Sequence, residues 1–304
     1  MLLLKELLKE KQIEIDNFLE AQLPESSEKP SIIHEAMRYS VFAGGKRIRP
    51  AISLLVYDML GGKSKSILYP ACAVELIHTY SLIHDDLPAL DNDDFRRGKP
   101  SSHKKFGEAI AILAGDALLT LSFEWIANME DNGNIVGAII KEVSESAGVR
   151  GMIGGQVADL EAEGRLASKL SAGEFNDKQN KKELEYIHLH KTAALIRCSV
   201  VIGALCAGCD GEELQKLKEF GTSLGLAFQV ADDILDIEGD QESLGKTVGK
   251  DVESGKLTYP ALYGLEESKT IAKRLIDNCK DLLKPFQENH HLLELSDMII
   301  NRKS

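Results

Sequence analysis

No proline interrupts residues 101–259 of this 304-residue chain, and only eight prolines occur in all. Proline removes a backbone donor and clashes with the preceding turn, so a stretch this long without one permits long helices. Within it, KFGEAIAILAGDALLTLSFEWIANM (105–129), LEYIHLHKTAALIRCSVVIGALCAG (184–208) and LQKLKEFGTSLGLAFQVADDILDIE (214–238) place apolar residues at i, i+3, i+4 and i+7. No run of alternating residues and no Asn-Gly or Asp-Gly turn between apolar runs suggests a sheet. Breaks fall at 23–30, at 59–66, at the polar stretch 165–183 and at the glycine-rich stretch 238–256. None has the length or composition of an interdomain tether. The sequence therefore reads as a single all-α domain over residues 1–304, a bundle in which sites form between facing helices.

Two apolar helices in this bundle run directly into carboxylates. VELIHTYSLI leads into HDDLPALDNDDFRRG, with Asp85, Asp86, Asp91, Asp93 and Asp94, and GTSLGLAFQVA leads into Asp232, Asp233 and Asp236. Like charges about 4 Å apart repel by about 4 kcal/mol at an effective dielectric near 20, so such clusters sit at solvated turns or around a cation. At 100° per residue, Asp232 and Asp236 lie about 40° apart with Asp233 about 60° to the other side, so all three share about a third of the helix. Asp85 and Asp91 are about 240° apart on an unbroken helix and do not meet. Pro88 stands between them; it offers no N–H to the His84 carbonyl and opens the turn, which can bring Asp91 round beside Asp85.

Carboxylates without a Cys or His ligand pair suit a hard cation. An EF-hand fails, because DNDDFRRG has Phe95 at the fifth ligand position and no glycine at the sixth. Mg²⁺ fits: it uses one or two carboxylates per ion, keeps waters and completes its shell with phosphate oxygens. Basic residues beside glycines suit those phosphates. Lys46, Arg47 and Arg49 follow Gly44-Gly45 in GGKRIRP, and Arg96 and Arg97 follow the first acid cluster in RRGKP. GGKRIRP is not a P-loop. His78 precedes Asp85 by two helical turns, about 20° away around the helix, and can share its face.

The net charge of −12 argues against a nucleic-acid or anionic-membrane surface. The longest uncharged apolar run, Cys198 to Cys209, is too short to span a bilayer. The first sixteen residues lack the pattern of a signal peptide. Five scattered cysteines fit a reducing compartment. Cys206 and Cys209 form a CxxC without the βαβ setting of a redox motif or a second ligand pair for zinc. These features read as a cytoplasmic protein with no nucleic-acid and no membrane partner.

GGKRIRP, DDLPALD, RRGKP, GGQVADLEAEG, the HKT of residues 190–192, FQVADDILD and GKTVGKD together resemble the short-chain trans-isoprenyl diphosphate synthases, most closely the bacterial farnesyl diphosphate synthases. The resemblance spans nearly the whole chain. It implies an isoprenoid-synthase-type helical bundle around a deep central cavity, normally a homodimer. It further implies that Asp85, Asp86 and Asp91, with Asp232, Asp233 and Asp236, hold Mg²⁺ (Mn²⁺ can substitute) on the diphosphate of dimethylallyl or geranyl diphosphate. Arg96, Lys191, Lys246 and Lys256 would contact that diphosphate. Gly45, Lys46, Arg49, His78 and Arg97 would hold isopentenyl diphosphate. The Lys191 carbonyl, Thr192 and Gln229 would lie beside the allylic cation. Arg302 and Lys303 could close over the second diphosphate. Tyr80, five residues before the first aspartate, would set product length, and its aromatic ring favours a C15 floor.

The implied reaction is a head-to-tail condensation giving farnesyl diphosphate. The alternative is a geranylgeranyl or geranyl diphosphate synthase. A terpene cyclase should lack the Lys46, Arg49, His78 and Arg97 set, and a silent partner subunit typically loses one aspartate cluster. Phe95 in place of leucine and Ser101-Ser102 in place of Thr-Asn depart from the family pattern without removing a charged residue.

Overall fold

A computed structural model describes residues 2–130, 134–172, 177–238 and 257–301. The chain divides into two compact units, Leu2–Ile140 and Lys141–Ser304 together with Met1. Both are helical.

The first unit comprises α1 (Leu2–Gln22), α2 (Ser31–Val41), α3 (Ile48–Met59), a 3-10 turn (Lys65–Ile67), α4 (Leu68–Asp85), α5 (Ser102–Phe106) and α6 (Glu108–Ala127). Its centre is α4, whose Cys72, Val74, Leu76, Ile77 and Ile83 are buried. An all-round apolar helix is stable only when neighbours cover it, and α6, α3, α1 and α2 do so. The approach of α6 depends on Gly115: a Cβ there would overlap the His84 ring, whose Nε2 lies 3.1 Å from the Ile112 carbonyl oxygen. A short antiparallel hairpin, β1 (Phe95–Arg96) with β2 (Lys99–Pro100), interrupts the helices. Its turn residues Arg97 and Gly98 have φ of 54° and 75°, the positive pair that a type I′ turn needs. The sequence reading missed this hairpin because each strand is two residues long.

The second unit follows α7 (Asn134–Ala147), which runs across the division. It contains α8 (Met152–Ala172), α9 (Asp177–Ile187), a π-helical turn (His188–Ala193), α10 (Ala194–Cys206), α11 (Gly211–Glu238), α12 (Tyr259–Tyr263), α13 (Leu265–Leu283) and α14 (His290–Asn301). The polar break expected over 165–183 is narrower, since α8 continues to Ala172 and α9 begins at Asp177. The 238–256 break lies almost wholly outside the described residues. The hub is α11, packed on α13, α10 and the π turn. Two glycines set its closest approaches: a Cβ on Gly221 would lie 2.8 Å from the Arg197 Cα, and one on Gly225 would lie 2.5 Å from the Ala193 Cα.

Among the described residues three segments, Lys65–Asp85, Glu108–Ala127 and Lys178–Cys206, are long and apolar enough to cross a membrane by length and composition. Each carries charged residues, so none stands out as an uncharged run in the sequence. Burial inside the protein accounts for much of the apolar character of the first and third, 72% and 61% buried, and less of the second, at 39%.

Gly225→Ala tests the packing at the hub. Helix propensity alone would favour alanine by about 1 kcal/mol. The overlap with Ala193 costs about 1–3 kcal/mol, so the denaturant midpoint should fall. A raised midpoint would show that α11 and the π turn do not pack this closely.

Candidate active site

The last residue of α4 is Asp85, and the chain then turns back on itself. The Leu87 N–H donates to the His84 carbonyl (3.1 Å), the partner that Pro88 cannot supply. The Asp91 N–H donates to the Asp85 carbonyl (2.8 Å) and the Asn92 N–H to the Leu87 carbonyl (3.1 Å). Breaking the helix at Pro88 thus brings the backbone of Asp91 to that of Asp85. Asp86, the next residue, is tied to Arg96. It is buried, at 2% exposure, and its carboxylate accepts from the Arg96 Nε (3.0 Å) and Nη2. Burial raises its carboxyl above the ordinary value, with Arg96 opposing. Arg96 also lies 3.6 Å from Asp93.

The two basic motifs meet in the same unit. The Arg97 guanidinium donates to the Gly44 carbonyl, and a Cβ on Gly45 would lie 2.6 Å from Arg97 Nη1. Gly44 and Gly45 have φ of 117° and 131°, which favours glycine at both. Burial holds the Arg97 guanidinium below its ordinary value, while Glu75 opposes. His78 sits among these cations. Burial, then the charges of Arg49, Arg97, Arg96 and Arg47, holds it well below the ordinary histidine value. Lys46 is exposed and Arg49 half-buried.

Arg47, between them, turns inward with a left-handed φ of 50°. At 3% exposure it donates to Asp16 (2.8 Å), to Glu75 (2.9 Å) and to the Val41 carbonyl (2.7 Å). It is a buried strut, not a surface cation. Tyr80, on α4, is also buried. Its hydroxyl has no hydrogen-bond partner among the described residues, its ring meets His84 edge-on at 5.7 Å, and burial, then Asp85, pushes its phenol up to about 12.

In the second unit the π turn carries the HKT motif. π turns insert a residue into a helix and recur at functional sites. Two glycines admit the turn: a Cβ on Gly155 of α8 would overlap the Lys191 backbone nitrogen, and Gly225 faces Ala193. Lys191 Nζ donates to Asp159 Oδ2 (2.6 Å). The Thr192 hydroxyl donates to Gln229 Oε1 (2.8 Å), and Gln229 Nε2 donates to Asp233 Oδ1 (3.0 Å). Asp233, at 4% exposure, also accepts from the Tyr259 N–H (2.9 Å). His188 Nε2 lies 3.8 Å from Asp233 Oδ2, and burial pushes that imidazole down to about 3. Asp232 is exposed and Asp236 half-buried.

The two clusters share one plan. The second aspartate of each DD pair, Asp86 or Asp233, is held by protein donors; the first of each pair, and Asp91 or Asp236 beyond, lie nearer the surface. Among the described residues no group of three or more His, Cys, Asp or Glu side chains is arranged to hold a metal. Oxygen donors at one or two carboxylates per cluster nevertheless fit Mg²⁺, which takes its remaining ligands from water and phosphate. Lys246, Lys256, Arg302 and Lys303 lie outside the described residues. Asp159, His188 and Tyr259 escaped the sequence reading; the only available signal was that Asp159 stands in GGQVADLEAEG.

Arg47→Met would leave Glu75 buried without its strongest partner, a loss of about 3–5 kcal/mol in unfolding free energy. Lys46→Met, at an exposed position, should change it by less than about 0.5 kcal/mol. Equal losses in the two variants would contradict the division between strut and surface cation.

Residues 30–295 match the polyprenyl synthetase family. The chain is 47% identical over 278 residues to a chloroplastic geranylgeranyl pyrophosphate synthase of Capsicum annuum, covering 90% of this chain and 72% of that one. It is 41% identical over 305 residues to a geranylgeranyl diphosphate synthase of Cyanophora paradoxa, covering 99% and 97%. Among solved structures, an FPP/GFPP synthase from Zymomonas mobilis superposes with a TM-score of 0.83 at 32% identity, covering 98% of this chain and 99% of that one. A geranyltransferase from Helicobacter pylori complexed with magnesium and isoprenyl diphosphate superposes with a TM-score of 0.80 at 34% identity, covering 97% and 95%. With its all-α fold and its paired acidic and basic motifs, the chain belongs to the polyprenyl synthetase family, the trans-isoprenyl diphosphate synthases.

Proposed function

We propose that this trans-prenyltransferase condenses isopentenyl diphosphate with allylic diphosphates, with geranylgeranyl diphosphate (C20) as its principal product. The observation that carries the condensation is the seating of Arg97 against Gly44-Gly45, because it gathers two basic motifs around His78 in the unit that carries Asp85 and Asp91. A cation cluster of this kind suits a second diphosphate, which a single-substrate cyclase does not need. Relatives 41–47% identical and named geranylgeranyl diphosphate synthases support the product. They favour it over farnesyl diphosphate, the reading that the motif resemblance and Tyr80 suggest and that the name of the Zymomonas mobilis FPP/GFPP synthase keeps as the alternative. A homodimer belongs to the same proposal.

Mg²⁺ bound with the allylic diphosphate would neutralise the charge that gathers on the leaving group. Asp85, Asp91, Asp232 and Asp236 are the residues that would hold it; the Helicobacter pylori geranyltransferase complexed with magnesium supports the choice of ion. Lys191 and Arg96 contribute fixed positive charge to the departing diphosphate. Thr192 and Gln229 orient each other by their hydrogen bond and present oxygen atoms, without a strong nucleophile, to the allylic cation. Water is kept away so that the isopentenyl alkene captures the cation first. Lys46, Arg49 and Arg97 hold the isopentenyl diphosphate.

Incubation with labelled isopentenyl diphosphate, Mg²⁺ and geranyl diphosphate tests this reading, with product length read by chromatography. C20 should dominate, and a chelator should abolish turnover. Accumulation of C15 alone would favour the Tyr80-based farnesyl reading, and no incorporation would overturn both. If Tyr80 limits the tail, Tyr80→Ala should lengthen the product, each further buried CH₂ favouring the longer chain by about 0.8 kcal/mol. An unchanged product distribution from a folded, active variant would remove Tyr80 from product control.

A further inference from the structure

Helix α8 touches Lys191 twice. Gly155 lies against its backbone, where a Cβ would overlap the Lys191 nitrogen and crowd its Cα at 2.7 Å. Four residues on, Asp159 takes its ammonium at 2.6 Å. Residues i and i+4 of a helix lie on one face, one above the other, so one face of α8 fixes both ends of the same lysine. The carboxylate is only 17% exposed and the lysine 27%, so neither group is simply a surface charge. Lysine is otherwise a flexible cation with four carbons of free rotation. An ammonium has three N–H donors. The bond to Asp159 occupies one and leaves two, their directions fixed, for an acceptor on the far side. Thr192, the next residue, is fixed independently through Gln229 and Asp233.

We propose that Asp159 is a positioning residue: it aims the Lys191 ammonium at the allylic diphosphate. The proposal rests on the prenyl-transfer reading, in which Lys191 meets that diphosphate. It places no bond between Asp159 and the substrate. Removing the carboxylate leaves the ammonium charged but free to swing, so the loss falls on steps that need Lys191 in place. The isopentenyl diphosphate site is built from other residues and is spared.

A double-mutant cycle on the full chain decides this, with Asp159→Asn, Lys191→Met and the pair together. It is read twice, on steady-state kinetics and on the calorimetric affinity for magnesium pyrophosphate. Asp159→Asn should lower kcat/KM for the allylic substrate about tenfold or more while KM for isopentenyl diphosphate moves less than about twofold. In the Lys191→Met background the same change should cost less than about twofold, because the two residues act as one. Asp159→Glu should recover part of the loss, and melting temperatures should stay close to wild type. Additive losses, a parallel rise in both KM values with a lowered melting temperature, or an increased Mg²⁺ requirement whatever stands at 191 would each overturn the assignment. A wild-type chain that makes no prenyl product would overturn the functional reading, and the pyrophosphate cycle would still decide the role of Asp159.

Discussion

Adjacent carboxylates at the end of a buried helix repel one another, and both units relieve that repulsion alike. Each hands the second aspartate of its DD pair to a protein donor. Arg96 holds Asp86, and the Tyr259 N–H and Gln229 hold Asp233. A buried carboxylate without such donors would cost several kcal/mol. The donors also neighbour residues that the proposed reading places at the substrates. Arg96 stands next to Arg97 in the hairpin, and Gln229 pairs with Thr192 on the π turn. Holding the inner carboxylate therefore also orders the groups around it, and on the proposed reading the remaining carboxylates of each cluster would serve as oxygen donors for a cation brought in with phosphate.

Glycine supplies the second constraint, through close approach. Gly45 admits the Arg97 guanidinium, Gly155 admits the Lys191 backbone and Gly225 admits Ala193. At each point a segment bearing a cation or a hydroxyl is pressed against a rigid neighbour. The buried Arg47 strut does similar work for the GGKRIRP loop. It ties Val41, Asp16 and Glu75 together, and Glu75 lies one turn before His78 on α4. Burial of that ion pair fixes where the exposed Lys46 and half-buried Arg49 emerge.

Much of this was legible in the chain. The long proline-free, helix-periodic run gave the all-α class, and Pro88 between Asp85 and Asp91 gave the returning turn. Arg47 could not be told from Lys46 and Arg49, because its inward course depends on a single left-handed φ and on carboxylates far away in sequence. The π turn was hidden because apolar periodicity runs straight through LEYIHLHKTAALIR. Asp159 looked like any acid on a helix; only the tertiary approach of α8 gives it Lys191. The polar run after residue 164 read as a loop, although its first residues continue α8 to Ala172. Product length was the least legible property, since the motif resemblance and one aromatic residue pointed to C15 while relatives similar along most of the chain carry a C20 name.

On the proposed reading each acidic cluster is an incomplete metal site that a diphosphate completes. Calorimetric titration of Mg²⁺ into the protein, alone and with an unreactive thio-linked allylic diphosphate, addresses it directly. By linkage, binding should be weak in the protein alone and at least about tenfold tighter with the analogue present. Equal Mg²⁺ affinity with and without the analogue would contradict the account.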